Sequence, residues 1–88
     1  MRWTIRYSKV AERQLEKLDA EVTQRIRRFM DERISPSEQP RVFAKKLSGP
    51  YEGRFRYRVG DYRVICSIED RKLIVLVIEL AHRREIYR

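Results

Sequence analysis

The amino-acid sequence predicts an α+β domain, ordered βααβββ, with a helical hairpin packed on a mainly antiparallel four-stranded sheet. Three observations predict it. Apolar residues alternate at period two near the N-terminus, recur at helical spacing over residues 8–34, and alternate again from Arg54 onward.

Trp3, Ile5 and Tyr7 alternate with Arg2, Thr4 and Arg6, the pattern of a strand with one buried face. Ser8 is a candidate N-cap for a first helix carrying Val10, Ala11, Leu15 and Leu18 on one side. Asp19 can cap a second helix bearing Val22, Ile26, Phe29, Met30 and Ile34. Ser35-Pro36 ends it, because the residue before proline is pushed out of the helical region. A loop is expected to about Gly53. Beyond it Phe55, Tyr57 and Val59 alternate with Arg54, Arg56 and Arg58. Gly60-Asp61 reads as a two-residue type II′ hairpin turn, with glycine supplying the positive φ. Val59 then faces Tyr62 and Arg58 faces Arg63, which puts Tyr62, Val64, Cys66 and Ile68 on the apolar side and Arg63 with Arg54, Arg56 and Arg58 on the other. After a turn near Glu69 to Lys72, Leu73 to Leu80 is expected to form a nearly all-apolar central strand covered on both faces.

A chain of 88 residues is one domain, 1–88. Its composition, 42% hydrophobic and 39% charged, is that of a folded chain rather than a disordered one. The net charge of +8 is uneven: residues 1–40 hold nine Lys/Arg against seven Asp/Glu, and residues 41–88 hold twelve against six. This asymmetry points to a polyanionic partner, since each Lys or Arg that neutralises a phosphate releases condensed counterions. One cysteine, Cys66, excludes a disulfide framework and a cysteine-based zinc site. The N-terminus lacks the apolar core of a signal peptide, and Leu73 to Ile78 is too short to span a bilayer. A cytoplasmic protein with no membrane partner is expected.

Like charges directly opposite on a sheet are destabilising, so four arginines on one face of neighbouring strands imply an anion there. Arginine suits that role, because its planar fork binds phosphate bidentately and stays charged at any working pH. The competing view is a solvated face whose charge prevents sheet-to-sheet aggregation. His82, Arg83, Arg84, Tyr87 and Arg88 follow the last strand. A histidine and a tyrosine beside arginines can move protons, although a chain terminus is as readily a solvated basic tail. No glycine-rich phosphate loop and no metal-ligand cluster are present. Cys66 and Trp3 read as core residues.

The segments AKKLSGPYEGRFRYRVGDYRVICSIED and LIVLVIELAHRREIYR resemble the second half of a RelE-type toxin of the RelE/ParE toxin–antitoxin superfamily. The shared features are a Leu-x-Gly loop, an arginine-rich strand, GDYRV at the hairpin, an apolar strand and HRREIY. The resemblance implies a RelE-like fold and a ribosome-dependent, metal-independent mRNA endonuclease that needs no cofactor. Such a toxin cuts mRNA in the ribosomal A site by attack of the RNA 2′-hydroxyl and is held by a RelB-like antitoxin in a hetero-oligomer. By the same resemblance Arg63 stabilises the transition-state phosphate, Arg83 serves the leaving group and Tyr87 is the general base. Arg54 and Arg56 stand where the best-known member has lysines, so His82 is a candidate to carry the proton instead. Arg54, Arg56, Arg58, Lys45, Lys46, Arg84 and Arg88 are candidate RNA-phosphate contacts. Two alternatives stay open: a ParE-like DNA gyrase inhibitor on the same fold, and a non-catalytic RNA- or ribosome-binding module.

Overall fold

The computed structural model describes residues 2–82. The chain folds as β1 (Thr4–Tyr7), α1 (Lys9–Lys17), α2 (Ala20–Phe29), β2 (Lys45–Lys46), β3 (Phe55–Val59), β4 (Tyr62–Glu69) and β5 (Ile74–His82). The strands form one sheet in the order β1-β5-β4-β3-β2, with β1 parallel to β5 and every other neighbour antiparallel. The sheet therefore has five strands, not the expected four. The additional strand, β2, is two exposed residues long at the sheet edge, too short to show a period.

Ser8 caps α1 as expected: its Oγ accepts from the Ala11 N–H at 3.0 Å and donates to the Ile78 carbonyl. Asp19 precedes α2 without a side-chain capping bond. After Phe29 the helix widens into one turn, Met30–Ile34, in which the Ser35 N–H reaches the Met30 carbonyl. This wide turn carries both Met30 and Ile34 to full burial. Ser35 is buried with them, its hydroxyl donating to the Trp3 carbonyl at 2.6 Å, which ties the end of the helical segment to the start of β1. The loop before β3 holds two short 3-10 turns, Pro40–Phe43 and Gly49–Tyr51. The Pro40 carbonyl accepts from the buried Tyr57 hydroxyl at 2.6 Å.

The core lies between the helices and one face of the sheet: Ala11, Leu15, Ile26, Met30 and Ile34 meet Tyr57, Val59, Val64, Cys66, Val75, Val77 and Leu80, with Trp3 beside them. Burial pushes the Cys66 thiol well above its ordinary pKa, and it is a core residue. Gly60 has φ +60° while Asp61 has an ordinary negative φ, as a type II′ turn requires. The observed register, Val59 opposite Tyr62 and Arg58 opposite Arg63, is the expected one.

Two expectations for the last strand are corrected. It begins at Ile74, because Leu73 adopts φ 53°, a left-handed conformation that closes the turn after Asp70 and leaves the strand path. It also runs on to His82, and it is only half-covered on its second face. The strand buried on both faces is β4, where Arg63, Val64, Ile65 and Cys66 are all buried.

Between Val77 and Glu79 the β5 strand holds one extra residue: Cys66 pairs with Val77 and Ile65 with Glu79. The bulge at Ile78 resets the alternation. Without it Val75, Val77 and Glu79 would share the core face; with it Leu80 takes the core position and Glu79 turns to the opposite face. Beyond the reach of β1, α1 supplies the missing partners. Gln14 accepts from the Leu80 N–H at 2.7 Å and donates to its carbonyl at 2.8 Å, so one side-chain amide stands in for a neighbouring strand.

A candidate RNA-binding face

The sheet face turned away from the helices carries two adjacent rungs. Register places Lys45, Arg56, Ile65 and Glu79 side by side across β2, β3, β4 and β5. The next rung on the same face is Arg58, Arg63 and Ala81. Because a two-residue hairpin closes on a hydrogen-bonded pair, Val59 and Tyr62, the next pair inward, Arg58 and Arg63, is a non-hydrogen-bonded one. In such pairs the Cα atoms approach to about 4.5 Å, closer than in the alternate pairs. Two arginines thus face each other at the narrowest spacing the sheet offers.

Arg63 is 7% exposed and sits on the central strand, beside Ile65, which is fully buried. Taking a guanidinium out of water is costly, and Arg is rarely found at this depth. Arg63 and Arg56 make further contacts within the fold. Burial, then the nearby Arg63 and Arg58 charges, lower the pKa of Arg56 from its ordinary value. That shift registers three guanidiniums converging on one field. Elsewhere, Arg27 pairs with Glu12 at 2.8 Å and Arg41 with Asp70 at 2.9 and 2.8 Å, its guanidinium also lying over the Phe55 ring.

The structure gathers Lys45, Arg56, Arg58 and Arg63 on this face and separates two other candidates from it. Lys46 pairs with Phe55 and so points to the opposite side, since neighbours along a strand alternate. His82 pairs with Tyr62, its ring edge-on at 5.3 Å, on the helix side of the sheet beside Gln14, Lys17 and Leu18. The register at the end of β5 thus places His82 on the side of the sheet opposite the arginine rungs. Arg54 precedes β3, its carbonyl accepting from the Leu47 N–H. Arg83, Arg84, Tyr87 and Arg88 lie outside the described residues. Glu79 is the residue that sequence reasoning missed. A lone carboxylate within the apolar run LIVLVIEL was its signal, but only the bulge shows which face it occupies.

Comparison with known proteins agrees with the fold. Residues 5–87 match the model of the family described as the ParE toxin of the type II toxin–antitoxin system parDE. Toxin RelG of Mycobacterium tuberculosis (strain ATCC 25618 / H37Rv) is 31% identical over 88 residues, spanning 100% of this chain and 99% of that protein. The toxin–antitoxin complex RelBE2 of Mycobacterium tuberculosis superposes with a TM-score of 0.83 at 28% identity, covering 94% of this chain and 100% of the matched one. The archaeal RelE–RelB complex of Pyrococcus horikoshii OT3 gives 0.75 at 30% identity, covering 97% and 99%. The RelBE complex of E. coli, at 18% identity, shares the fold with a TM-score of 0.72 over 91% and 95%. The chain, matched over nearly its whole length in this way, belongs to the ParE toxin family of type II toxin–antitoxin systems, within the RelE/ParE superfamily.

Proposed function

We propose that this toxin is a ribosome-dependent mRNA endonuclease that cuts mRNA in the ribosomal A site and so stops translation. The observation that carries this reading is the cluster of Arg56, Arg58 and Arg63 on two neighbouring rungs, with Arg63 buried at its centre. RNA supplies its own nucleophile, the 2′-hydroxyl. The protein has to take its proton, hold it in line with the phosphorus and stabilise the charge that develops on the phosphate oxygens. A preformed arginine cluster on two paired strands does the last of these without reorganising. Arg63 is assigned to the phosphate, Arg56 and Arg58 to the flanking backbone, and, from the family resemblance, Arg83 to the leaving group and Tyr87 to the general base. Arg56 cannot exchange a proton at working pH. Among the described residues of this face, Lys45 and Glu79, both on the Arg56 rung, are groups that can exchange one. The products are then a 2′,3′-cyclic phosphate or 3′-phosphate and a 5′-hydroxyl, made without a metal ion.

A RelB-like antitoxin is the expected partner. The M. tuberculosis and P. horikoshii relatives are seen in toxin–antitoxin complexes, and a surface of net charge +8 suits an acidic partner. A gyrase-directed activity is the second reading, favoured by the ParE description of the matching family.

Primer extension on a reporter mRNA, with and without ribosomes, tests the proposal. Cuts in codon register that require ribosomes and weaken in Tyr87→Phe are the expected result. Absence of cutting by folded protein, together with inhibition of gyrase supercoiling, would replace it with the second reading.

A further inference from the structure

β2 pairs with β3 at Phe55 and Arg56 alone, so from Tyr57 onward the outer edge of β3 is uncovered by a strand. Helix α2 runs beside that edge and leaves a cavity of about 290 Å³. Four arginines line it, Arg25, Arg28, Arg33 and Arg58, against one acid, Glu32. We infer that this cleft binds the phosphate backbone of RNA and extends the arginine face around the edge of the sheet, an inference that rests on RNA being the substrate.

Bare edge strands are often guarded by charge alone. Three observations go beyond that. Arg25 is folded over the hairpin tip, its Nη1 3.1 Å from where a Cβ on Gly60 would stand, so the guanidinium lines the cleft. Arg28 follows Arg25 by one helical turn, a like-charge spacing that costs a helix stability. Among the described residues the ion pairs engage Arg27 and Arg41, and none engages Arg25, Arg28 or Arg58. Arg58 belongs both to the cleft and to the rung of Arg63, which makes the two surfaces continuous.

The uncovered edge also decides between RNA and an acidic protein strand. Leu47 donates to the Arg54 carbonyl, so by alternation Arg58 is the residue between Tyr57 and Val59 whose backbone groups turn outward. One outward residue is too little for strand addition, which draws its affinity from a row of main-chain hydrogen bonds. An outward N–H beside several guanidinium forks matches phosphate oxygens.

The test is fluorescence anisotropy of a 5′-labelled single-stranded RNA, titrated at several KCl concentrations with wild type, R25A/R28A and Arg56→Ala, each checked by circular dichroism. Each phosphate contact contributes about 0.7 to the slope of log K against log[salt] for single strands. R25A/R28A is expected to weaken binding and flatten that slope by about 1.4, and Arg56→Ala by about 0.7. Should the double variant unfold, Arg28→Gln, an exposed position on α2, is expected to flatten it by about 0.7. Wild-type affinity and slope in the folded cleft variant, with Arg56→Ala weakened, would overturn the inference and leave the nuclease reading standing. Failure of wild type both to bind RNA and to cut it would remove both. Loss of a labelled oligo-glutamate peptide from R25A/R28A, with RNA binding intact, would reassign the cleft to a protein partner.

Discussion

The two faces of β4 are buried by opposite means. On the helix side Val64 and Cys66 pack against Leu15, Ile26 and Met30, where burial removes apolar surface from water and is the main source of stability. On the other side Ile65 is buried as deeply and Arg63 nearly so, yet the rungs around them carry Lys45, Arg56 and Arg58. One face is built at low free energy. The other concentrates like charge where packing alone would place apolar or neutral side chains, and a fold tolerates such a conflict where function requires it.

The largest effect expected from this contrast is on the helix face. Leu15→Ala, at a position 1% exposed, is expected to lower the unfolding free energy by about 2 to 5 kcal/mol in denaturant titration. A loss well under 1 kcal/mol would break the contrast at its apolar side. Gln14→Ala sharpens it at the bulge. With the Leu80 N–H and carbonyl left without partners, a loss of about 1 to 3 kcal/mol is expected. Hydrogen exchange at the Leu80 amide should quicken with it, and unchanged protection would mean that another group holds the bulge. The smallest effect is at Leu73, which carries a left-handed penalty that glycine does not. Leu73→Gly is expected to raise Tm slightly, by the equivalent of up to ~1 kcal/mol, because glycine's own backbone entropy offsets part of the relief. A fall in Tm would show that the half-exposed leucine side chain contributes more than its strain.

How far the sequence carried varies along the chain, for physical reasons. Strand β1, helix α1 with its Ser8 cap, and the Gly60-Asp61 hairpin follow from local chemistry, so Arg58 opposite Arg63 could be read directly. Strand β2 could not, because two residues carry no period and their pairing is set by β3. Nor could the faces of Glu79 and His82. Both depend on the bulge at Ile78, which exists because Val77 and Leu80 must both reach the core and Gln14 is placed to hold the displaced backbone. A uniform apolar run such as LIVLVIEL hides the residue at which alternation resets.

Arg63→Ala, assayed for ribosome-dependent cleavage and for unfolding free energy in the same preparation, tests the functional face most directly. The expected result is cleavage reduced roughly 100-fold or more, as removal of one preorganised charge-stabilising donor does in other enzymes, with stability within about 1 kcal/mol of wild type. Cleavage near the wild-type rate in the folded variant, or a loss of cleavage matched by a loss of stability of several kcal/mol, would contradict it.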